Sequence, residues 1–299
     1  LVKIDYSDLN YKDALILNDG GKLVRDFPRI PGIDFSGKVL ESNTDEFKKD
    51  DEVILTGCRV GEMYHGGYSQ LAKVKKEFLV KKPKNLSTKE SMIIGTAGFT
   101  ALLCAFAINA REEILLGEKV NDVLVTGATG GVGTIAVMAL SKLGYNVTAV
   151  TGKPESADIL KKLGAKNIVN RSEFEGEAKL LGKAIWDGVV DTVGGNILAQ
   201  AISQTKHSGI VAACGNAGGI KLNTNVMPFI LRGVKLWGID SIQVSMKRRE
   251  FVWSQVERLI DFKVLEEMVQ VINMEELMNI FPNMLKGKTS GRIVIDVNK

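Results

Sequence analysis

The first third of the chain consists of short runs of apolar residues separated by glycines and prolines. The runs Val2–Tyr6, Ile33–Leu40 and Asp51–Leu55 have the composition and period of β-strands, and Tyr68–Val74 and Phe78–Val80 continue the pattern. The glycines and prolines that separate them are typical of turns. This part of the sequence therefore predicts a barrel-like domain built from strands.

The pattern becomes helical after Ser87. Ser87 and Glu90 have the spacing of a capping box, which marks the start of a helix. Apolar residues fill the segment from Met92 to Ala107. The sequence Gly95-Thr-Ala-Gly98 interrupts this segment, so two helices are predicted rather than one.

Strands and helices alternate from Asp122 to Ile239. After a strand that begins at Asp122, the predicted strands are Asn146–Val150, Asn167–Val169, Val189–Val193, Ile210–Cys214 and Val234–Ile239. The predicted helices between them include Pro154–Leu163, Glu173–Leu181, Ile197–Gln204 and Met227–Leu231. Such alternation predicts an α/β fold with a doubly wound parallel sheet.

The remainder of the chain has a different pattern. It predicts a helix near Met246–Phe262, another near Met274–Leu285 and a terminal strand at Gly291–Val297. Because this last strand follows the α/β segment alone, we expect it to return to the strand-rich domain. The predicted division is 1–95, 96–240 and 241–299.

The segment Asp122–Thr134 carries the strongest chemical signal. A buried strand leads into a turn that contains Gly127, Gly130, Gly131 and Gly133, and a helix follows. Glycines let the backbone approach a ligand closely, and the start of a helix attracts a phosphate group. The spacing departs from G-x-G-x-x-G, so a tight turn without a ligand is the alternative interpretation.

The end of the next strand indicates which dinucleotide is bound. An acidic residue at this point accepts a hydrogen bond from the ribose of NAD, whereas this strand ends Thr151-Gly152-Lys153, with no acid before Glu155. A hydroxyl and an ammonium group suit a 2′-phosphate, so the sequence predicts NADPH. Arg171 is a second candidate for this phosphate. The alternatives are an exposed lysine at a helix start and a surface arginine.

Composition narrows the class of protein. The 299 residues are enough for two domains, and Lys plus Arg exceed Asp plus Glu only by 39 − 35 = 4, which argues against nucleic acid as a partner. No apolar run is expected to reach the length of a membrane span, and the first residues lack the pattern of a signal peptide. Cys58, Cys104 and Cys214 are far apart, which favours reduced thiols in the cytoplasm. The chain starts at Leu1, so an N-terminal piece is expected to be missing.

Several motifs together resemble a known family. They are Asn10-Tyr-Lys-Asp13, Phe27–Gly37, Met92–Thr100, Asp191-Thr-Val-Gly194 and Met227–Arg232. In combination they resemble the zinc-free, quinone-oxidoreductase-like branch of the medium-chain dehydrogenases/reductases, and within it the acrylyl-CoA reductase group. The resemblance covers nearly the whole chain.

The resemblance implies a GroES-like β-barrel catalytic domain, in the segments 1–95 and 241–299, and a Rossmann NADPH-binding domain at 96–240. It also implies NADPH-dependent reduction of the activated C=C bond of an α,β-unsaturated thioester such as acrylyl-CoA. Reduction of quinones or other enones is the alternative, and a non-catalytic NADPH-binding protein is a third hypothesis. Dimers are common in this family, so a homodimer is expected.

The resemblance further implies site residues. It places Tyr11 beside the nicotinamide, where the phenol either donates a hydrogen bond or proton to the substrate or only stacks. The implied cofactor contacts are Thr129, Gly130, Gly131 and Val132 at the pyrophosphate, and Asn216, Ile230 and Ser241 on the nicotinamide side.

No metal is expected. Zinc alcohol dehydrogenases carry a Gly-His-Glu motif after the proline-glycine turn, where this chain has Asp34-Phe35-Ser36-Gly37. His65, His207 and three scattered cysteines do not supply a zinc ligand set. The basic clusters Lys247–Arg249 and Lys286–Lys288 are either solvated faces or contacts for the phosphates of coenzyme A.

Overall fold

The computed structural model describes residues 1–18, 22–114 and 121–299, without the side chains of residues 112–114. These residues form two compact units. Unit 1 comprises Leu1–Phe99, Ser241–Arg258 and Met268–Lys299, and unit 2 comprises Thr100–Asp240 and Leu259–Glu267.

The strands of unit 1 are β1 (Val2–Asp8), β2 (Asp34–Val39), β3 (Glu52–Thr56), β4 (Leu71–Ala72), β5 (Val80–Lys81), β12 (Val269–Asn273) and β13 (Arg292–Asp296). They form a seven-stranded sheet in the order β12-β13-β1-β2-β3-β5, with β4 paired to β1. Neighbouring strands of this sheet are antiparallel, apart from β12 and β13, which are parallel. Tyr6 of β1 pairs with Asp296 of β13, so the predicted return of the last strand to the strand-rich part is confirmed.

The core of unit 1 is built from alternate residues of these strands. Ile4, Phe35, Leu55 and Ile295 are fully buried in it. The helices are α1 (Tyr11–Leu17), α7 (Met246–Ser254), α8 (Val256–Leu259), whose last residue belongs to unit 2, and α10 (Leu277–Leu285). The prediction of one helix over Met246–Phe262 is wrong, because helix α7 ends at Ser254 and Gln255 caps it.

Helix α2 (Thr88–Ile114) is kinked where the sequence predicts a break. Gly95 has φ 50° and ψ −159°, which is not helical, so the expectation of two helices is confirmed. The expectation that no run is of membrane-spanning length is wrong: Thr88–Arg111 is long and apolar enough, with a mean hydropathy of 2.0. The hydropathy is that of an 18-residue window within this helix, and 89% of the window is buried inside the protein, as in the core helix of a globular protein.

The strands of unit 2 are β6 (Asp122–Val125), β7 (Asn146–Thr151), β8 (Asn167–Asn170), β9 (Trp186–Asp191), β10 (Thr205–Ala213) and β11 (Lys235–Gly238). They form a six-stranded parallel sheet in the order β11-β10-β9-β6-β7-β8, which confirms the predicted doubly wound fold. The strand order reverses between β6 and β9, and ligands bind at such switch points. The helices are α3 (Gly131–Lys142), α4 (Ala157–Lys162), α5 (Gly195–Ser203), α6 (Met227–Arg232) and α9 (Phe262–Leu265).

One predicted helix of unit 2 is wrong. Instead of a helix over Glu173–Leu181 the structure has a single 3₁₀ turn, Arg171–Phe174. Phe174 is buried, but Leu180 is 68% exposed, so a longer helix would have no apolar face to bury.

Candidate active site

The glycine corner of unit 2 has the geometry that its sequence predicts. The buried strand β6 ends at Val125, and a turn is closed by the N–H of Gly130, which donates to the carbonyl of Gly127 at 2.9 Å. A Cβ on Gly133 would collide with the Gly127 carbonyl, so the helix packs against the turn as only glycine allows. The first N–H groups of α3 have no partner inside the helix, as at every helix start, and are suited to bind an anion.

The end of β7 lies beside this corner. The hydroxyls of Thr129 and Thr151 are 3.3 Å apart, and the N–H of Lys153 donates to the Thr151 hydroxyl at 3.0 Å. A Cβ on Gly152 would lie 3.3 Å from the guanidinium carbon of Arg171. The structure therefore places the guanidinium of Arg171 against Gly152, the residue that precedes Lys153.

The two cations differ in their surroundings. Arg171 pairs with Glu175 at 3.0 Å and both side chains are more than half exposed. Partial burial lowers the pKa of Lys153, while Glu155 acts in the opposite direction. An anionic ligand at this point would offset that desolvation.

A buried carboxylate, Asp191, connects the ends of β6 and β9. Its two oxygens accept from the Thr126 hydroxyl at 2.7 Å and from the N–H of Gly194 at 2.8 Å. Burial raises the pKa of Asp191, and these hydrogen bonds oppose the rise. Through these hydrogen bonds Asp191 joins the loops that follow β6 and β9. Asp191 is the first residue of the motif Asp191-Thr-Val-Gly194, which by itself does not indicate this role of the carboxylate.

The remaining candidate residues are spread over the two units. Asn216 follows β10 in unit 2, and a Cβ on Gly194 would lie 3.3 Å from the Cα of Asn216, so the two loops meet at the same edge of the sheet. Ile230 lies on α6 and is 68% exposed. Ser241 belongs to unit 1, where its carbonyl accepts from Arg249 at 2.8 Å.

Tyr11 is the first residue of α1 in unit 1 and is 37% exposed. Asn10 caps this helix, and its N–H donates to Oδ2 of Asp13 at 3.0 Å. Oδ1 of Asp13 accepts from the N–H of Ile33 at 2.9 Å, which ties the helix start to the segment before β2. The position of Tyr11 is thus fixed by buried neighbours on both sides.

The side chain of Asn10 is a junction in a buried network of six residues: Asp8, Asn10, Asp13, Asp34, Thr96 and Arg292. Its amide donates to Asp8 at 2.7 Å and to Asp34 at 3.0 Å, and its oxygen accepts from Arg292 at 3.4 Å. Arg292 also forms an ion pair with Asp8 and donates to the carbonyl of Ile93 at 2.8 Å.

Asp34 lies close to the kink of α2. It accepts from the N–H and the hydroxyl of Thr96, both at 2.6 Å, and from the N–H of Gly57 at 3.1 Å. A Cβ on Gly95 would collide with Asp8 and crowd Asp34, so the kink needs glycine. Asp34 follows the proline-glycine turn, where the zinc enzymes carry their Gly-His-Glu motif. In this chain its carboxylate accepts hydrogen bonds from N–H and O–H groups instead. Residues 1–18, 22–114 and 121–299 contain no group of three or more His, Cys, Asp or Glu placed to hold a metal.

The network holds three fully buried carboxyl groups and one guanidinium. Burial, and then the neighbouring Asp34, raise the pKa of Asp8, with Arg292 acting in the opposite direction. Burial and then Asp34 raise the pKa of Asp13 to about 7. The network therefore binds protons near neutral pH. Sequence reasoning missed Asp8 and Arg292, since a charged residue inside a short strand pattern carries no sign of a buried partner.

Two family models match this chain. The alcohol dehydrogenase GroES-like domain matches residues 1–84, and the zinc-binding dehydrogenase domain matches residues 131–260. The first covers most of the amino-terminal segment of unit 1. The second begins at Gly131, within the glycine corner, and covers the strands of the parallel sheet from β7 to β11.

Individual proteins resemble the chain over almost its whole length. Acrylyl-CoA reductase AcuI of Ruegeria pomeroyi is 47% identical over 99% of this chain and 89% of its own. The structure of Escherichia coli K-12 YhdH with bound NADPH is 43% identical, with a TM-score of 0.93 over 99% of this chain and 91% of its own. Bacillus subtilis YhfP, provisionally named a quinone oxidoreductase, is 43% identical over 99% of this chain and 89% of its own. Its structure with NAD bound has a TM-score of 0.91.

The fold, the glycine corner and these similarities agree with the resemblance that the motifs suggest. The chain belongs to the medium-chain dehydrogenase/reductase family, in the group of oxidoreductases that includes acrylyl-CoA reductase AcuI and YhfP.

Proposed function

We propose that this chain is an NADPH-dependent reductase of the activated C=C bond of an α,β-unsaturated thioester such as acrylyl-CoA. The observation that carries the proposal is the identity of 47% with an acrylyl-CoA reductase over 99% of the chain. The glycine corner and the cations at the end of β7 support it, because they suit a phosphorylated dinucleotide.

Our proposal for the phosphate contacts of the cofactor rests on residues of unit 2. Thr129, Gly130, Gly131 and Val132 hold the pyrophosphate at the start of α3. Thr151, Gly152, Lys153 and Arg171 hold the 2′-phosphate, supported by the 3.3 Å approach of Arg171 to the Cβ position of Gly152. Asn216, Ile230 and Ser241 lie on the nicotinamide side. The bound cofactor supplies the hydride.

The proposed catalytic residue is Tyr11. Reduction at the β-carbon of the substrate leaves negative charge on the thioester oxygen, and the α-carbon then takes a proton. A phenol 37% exposed at a fixed helix start is suited to donate a hydrogen bond to that oxygen or a proton to that carbon. The buried network holds Tyr11 in place through Asn10.

Mixing the purified protein with NADPH and acrylyl-CoA tests the reaction. We expect one NADPH to be oxidised for each C=C bond that is reduced. The reaction is followed by the loss of the absorbance of the reduced nicotinamide. Tyr11→Phe should lose turnover and keep its affinity for NADPH, which would exclude a non-catalytic NADPH-binding role. Absence of turnover with every short enoyl-CoA would refute the proposed reaction.

Quinone or enone reduction is the second candidate function, because YhfP carries a quinone oxidoreductase name at 43% identity. A quinone has no phosphate groups. Equal kcat/KM for an enoyl-CoA and for an uncharged enone would therefore favour this candidate over the first.

We further propose a cytoplasmic homodimer in which 1–95 and 241–299 form the catalytic domain and 96–240 the cofactor domain. Among the residues that the structure describes, β11 is the last strand of its sheet, with Leu236 39% and Trp237 41% exposed, and such a strand edge suits a second copy. Cys58, Cys104 and Cys214 are free thiols, which supports a reducing compartment. Light scattering would show a mass twice that of the chain; a monomer at micromolar concentration would refute the dimer.

A further inference from the structure

Unit 1 contains a cavity of about 480 Å³ that the site described above does not use. One wall is the loop that follows β3 and includes Cys58, Arg59 and Tyr64, and the other includes Ile242 and Met246 at the start of α7. Its size is that of a small-molecule site.

The loop wall is strained. Cys58 has φ 50° and Arg59 has φ 58°, a left-handed conformation that is costly for residues other than glycine. The carbonyl of Arg59 accepts from the N–H groups of Met63 at 2.9 Å and of Glu62 and Tyr64 at 3.3 Å. Strain that is held by local hydrogen bonds is typical of ligand sites.

Arg249 fixes the two walls relative to each other. Its guanidinium donates to the carbonyl of Thr56 at 3.0 Å, beside the loop, and to the carbonyls of Ser241 at 2.8 Å and Ile242 at 2.9 Å. It is 2% exposed and stacks 5.0 Å from the ring centre of Phe99. The cavity is therefore preformed. The guanidinium of Arg249 is engaged by the backbone carbonyls of the two walls and stabilises the cavity instead of binding a ligand.

The cavity combines an aromatic wall with charged side chains, since Arg59 and Glu77 both line it. Tyr64 and Phe78 form an aromatic pair with ring centres 5.2 Å apart, and the ammonium of Lys75 lies 4.9 Å above Tyr64. Arg59 is exposed, and its Nη1 donates to the sulfur of Met63 at 3.2 Å. Among the residues that the structure describes, Arg59 has no carboxylate within ion-pair distance, and Glu62, three residues further along the chain, pairs with Lys12 at 2.9 Å.

We propose that this cavity binds the phosphopantetheine arm of a coenzyme A thioester, with Arg59 at the phosphate. The arm is a largely aliphatic chain that carries two amides and ends in a pyrophosphate, so its chemistry matches an aromatic wall beside a free guanidinium. The inference rests on the proposed function and deepens it, since it makes Arg59 the residue that distinguishes a coenzyme A thioester from an uncharged enone.

The test compares two substrates that share the reacting group. The holoenzyme is assayed with acrylyl-CoA and with the acrylyl thioester of N-acetylcysteamine, which lacks the phosphates. Arg59→Gln should lower the ratio of kcat/KM between them about tenfold, as expected for a charge-assisted contact partly exposed to water. Arg59→Lys should retain most of the ratio. Arg25→Gln, an exposed arginine of the same unit, is the matched control and should leave the ratio unchanged.

A binding measurement separates this inference from the proposed reaction. Acetyl-CoA has no double bond to reduce, so its affinity for the protein saturated with NADP⁺ is measured by calorimetry without turnover. We expect Arg59→Gln, and Arg59→Gly as a variant free of the strain, to weaken it about tenfold. Weakened acetyl-CoA binding with no turnover of any thioester would refute the reaction and support the cavity. No binding by the unchanged protein, or an unchanged ratio in Arg59→Gln, would overturn the inference.

Discussion

Replacing Asp13 by asparagine should flatten the pH dependence of the stability of unit 1. In the folded protein both oxygens of Asp13 are buried and accept N–H groups, from Asn10 and Ile33. Burial and Asp34 raise the pKa of Asp13 from 3.8 to about 7. The folded state therefore holds the proton more tightly than the unfolded state.

The sign follows from this difference in proton binding. The stabilisation by Asp13 is complete below the unfolded pKa of 3.8 and is lost as the pH rises through about 7. Each pH unit in the middle of that window costs about 1.4 kcal/mol, and the cost per unit falls close to pH 7, so unit 1 should lose about 2 kcal/mol of unfolding free energy between about pH 5 and pH 7. Asparagine cannot titrate, and its amide also opposes one of the two N–H donors, which costs about 1–3 kcal/mol at every pH.

Tryptophan fluorescence gives a reporter for unit 1 alone. Trp253 is buried there, 6.5 Å from the ring centre of Phe99, whereas Trp186 and Trp237 belong to unit 2. With Trp186 and Trp237 replaced by phenylalanine, urea unfolding is followed at several values between about pH 5 and pH 8. Asp45→Asn, at an exposed position, is the control.

The measured quantity is the difference in unfolding free energy between the parent protein and Asp13→Asn. We expect this difference to shrink as the pH rises, because only the parent loses the stabilisation by a bound proton. A difference that stays constant across the range would show that Asp13 is already ionised in the folded protein, and the reasoning from burial would fail.

Three further predictions concern single residues. Lys153→Ala should weaken NADPH binding by roughly one to two decades and NADH binding far less, measured by fluorescence titration; an equal loss for both would place Lys153 away from the 2′-phosphate. Gly133→Ala should abolish NADPH binding in calorimetry, because its Cβ would collide with the turn. Gly95→Ala should lower the melting temperature by about 5 °C or more through its clash with Asp8, whereas Gly176→Ala, at an open position, should leave it unchanged.

Much of unit 2 follows from local signals. A parallel sheet is covered on both faces, so its strands are continuous apolar runs, and Val123–Val125 or Val189–Val190 can be found from composition alone. Part of the glycine corner is equally local, because Gly133 is required by the carbonyl of Gly127, six residues earlier in the same turn. These features depend on residues close together in the sequence, which is why they could be predicted.

The network around Asn10 could not be predicted. Asp8 and Arg292 are 284 positions apart, and neither has a neighbour in sequence that indicates a buried ion pair. Helix α1 was missed for a related reason. It has only seven residues, and it is stabilised by Asp13 and by packing rather than by a long periodic face. The strained loop at Cys58 and Arg59 is likewise invisible, since non-glycine residues rarely adopt positive φ.

The pairing of β1 with β13 has a consequence for synthesis on the ribosome. Tyr6 and Asp296 are partners in one sheet, so β1 is translated long before the strand with which it pairs. Apart from its short Leu259–Glu267 segment, unit 2 is complete once Asp240 has emerged, and it can fold while unit 1 is still open. A nascent chain stalled before β13 should therefore present a protected nucleotide domain and a protease-sensitive amino-terminal segment.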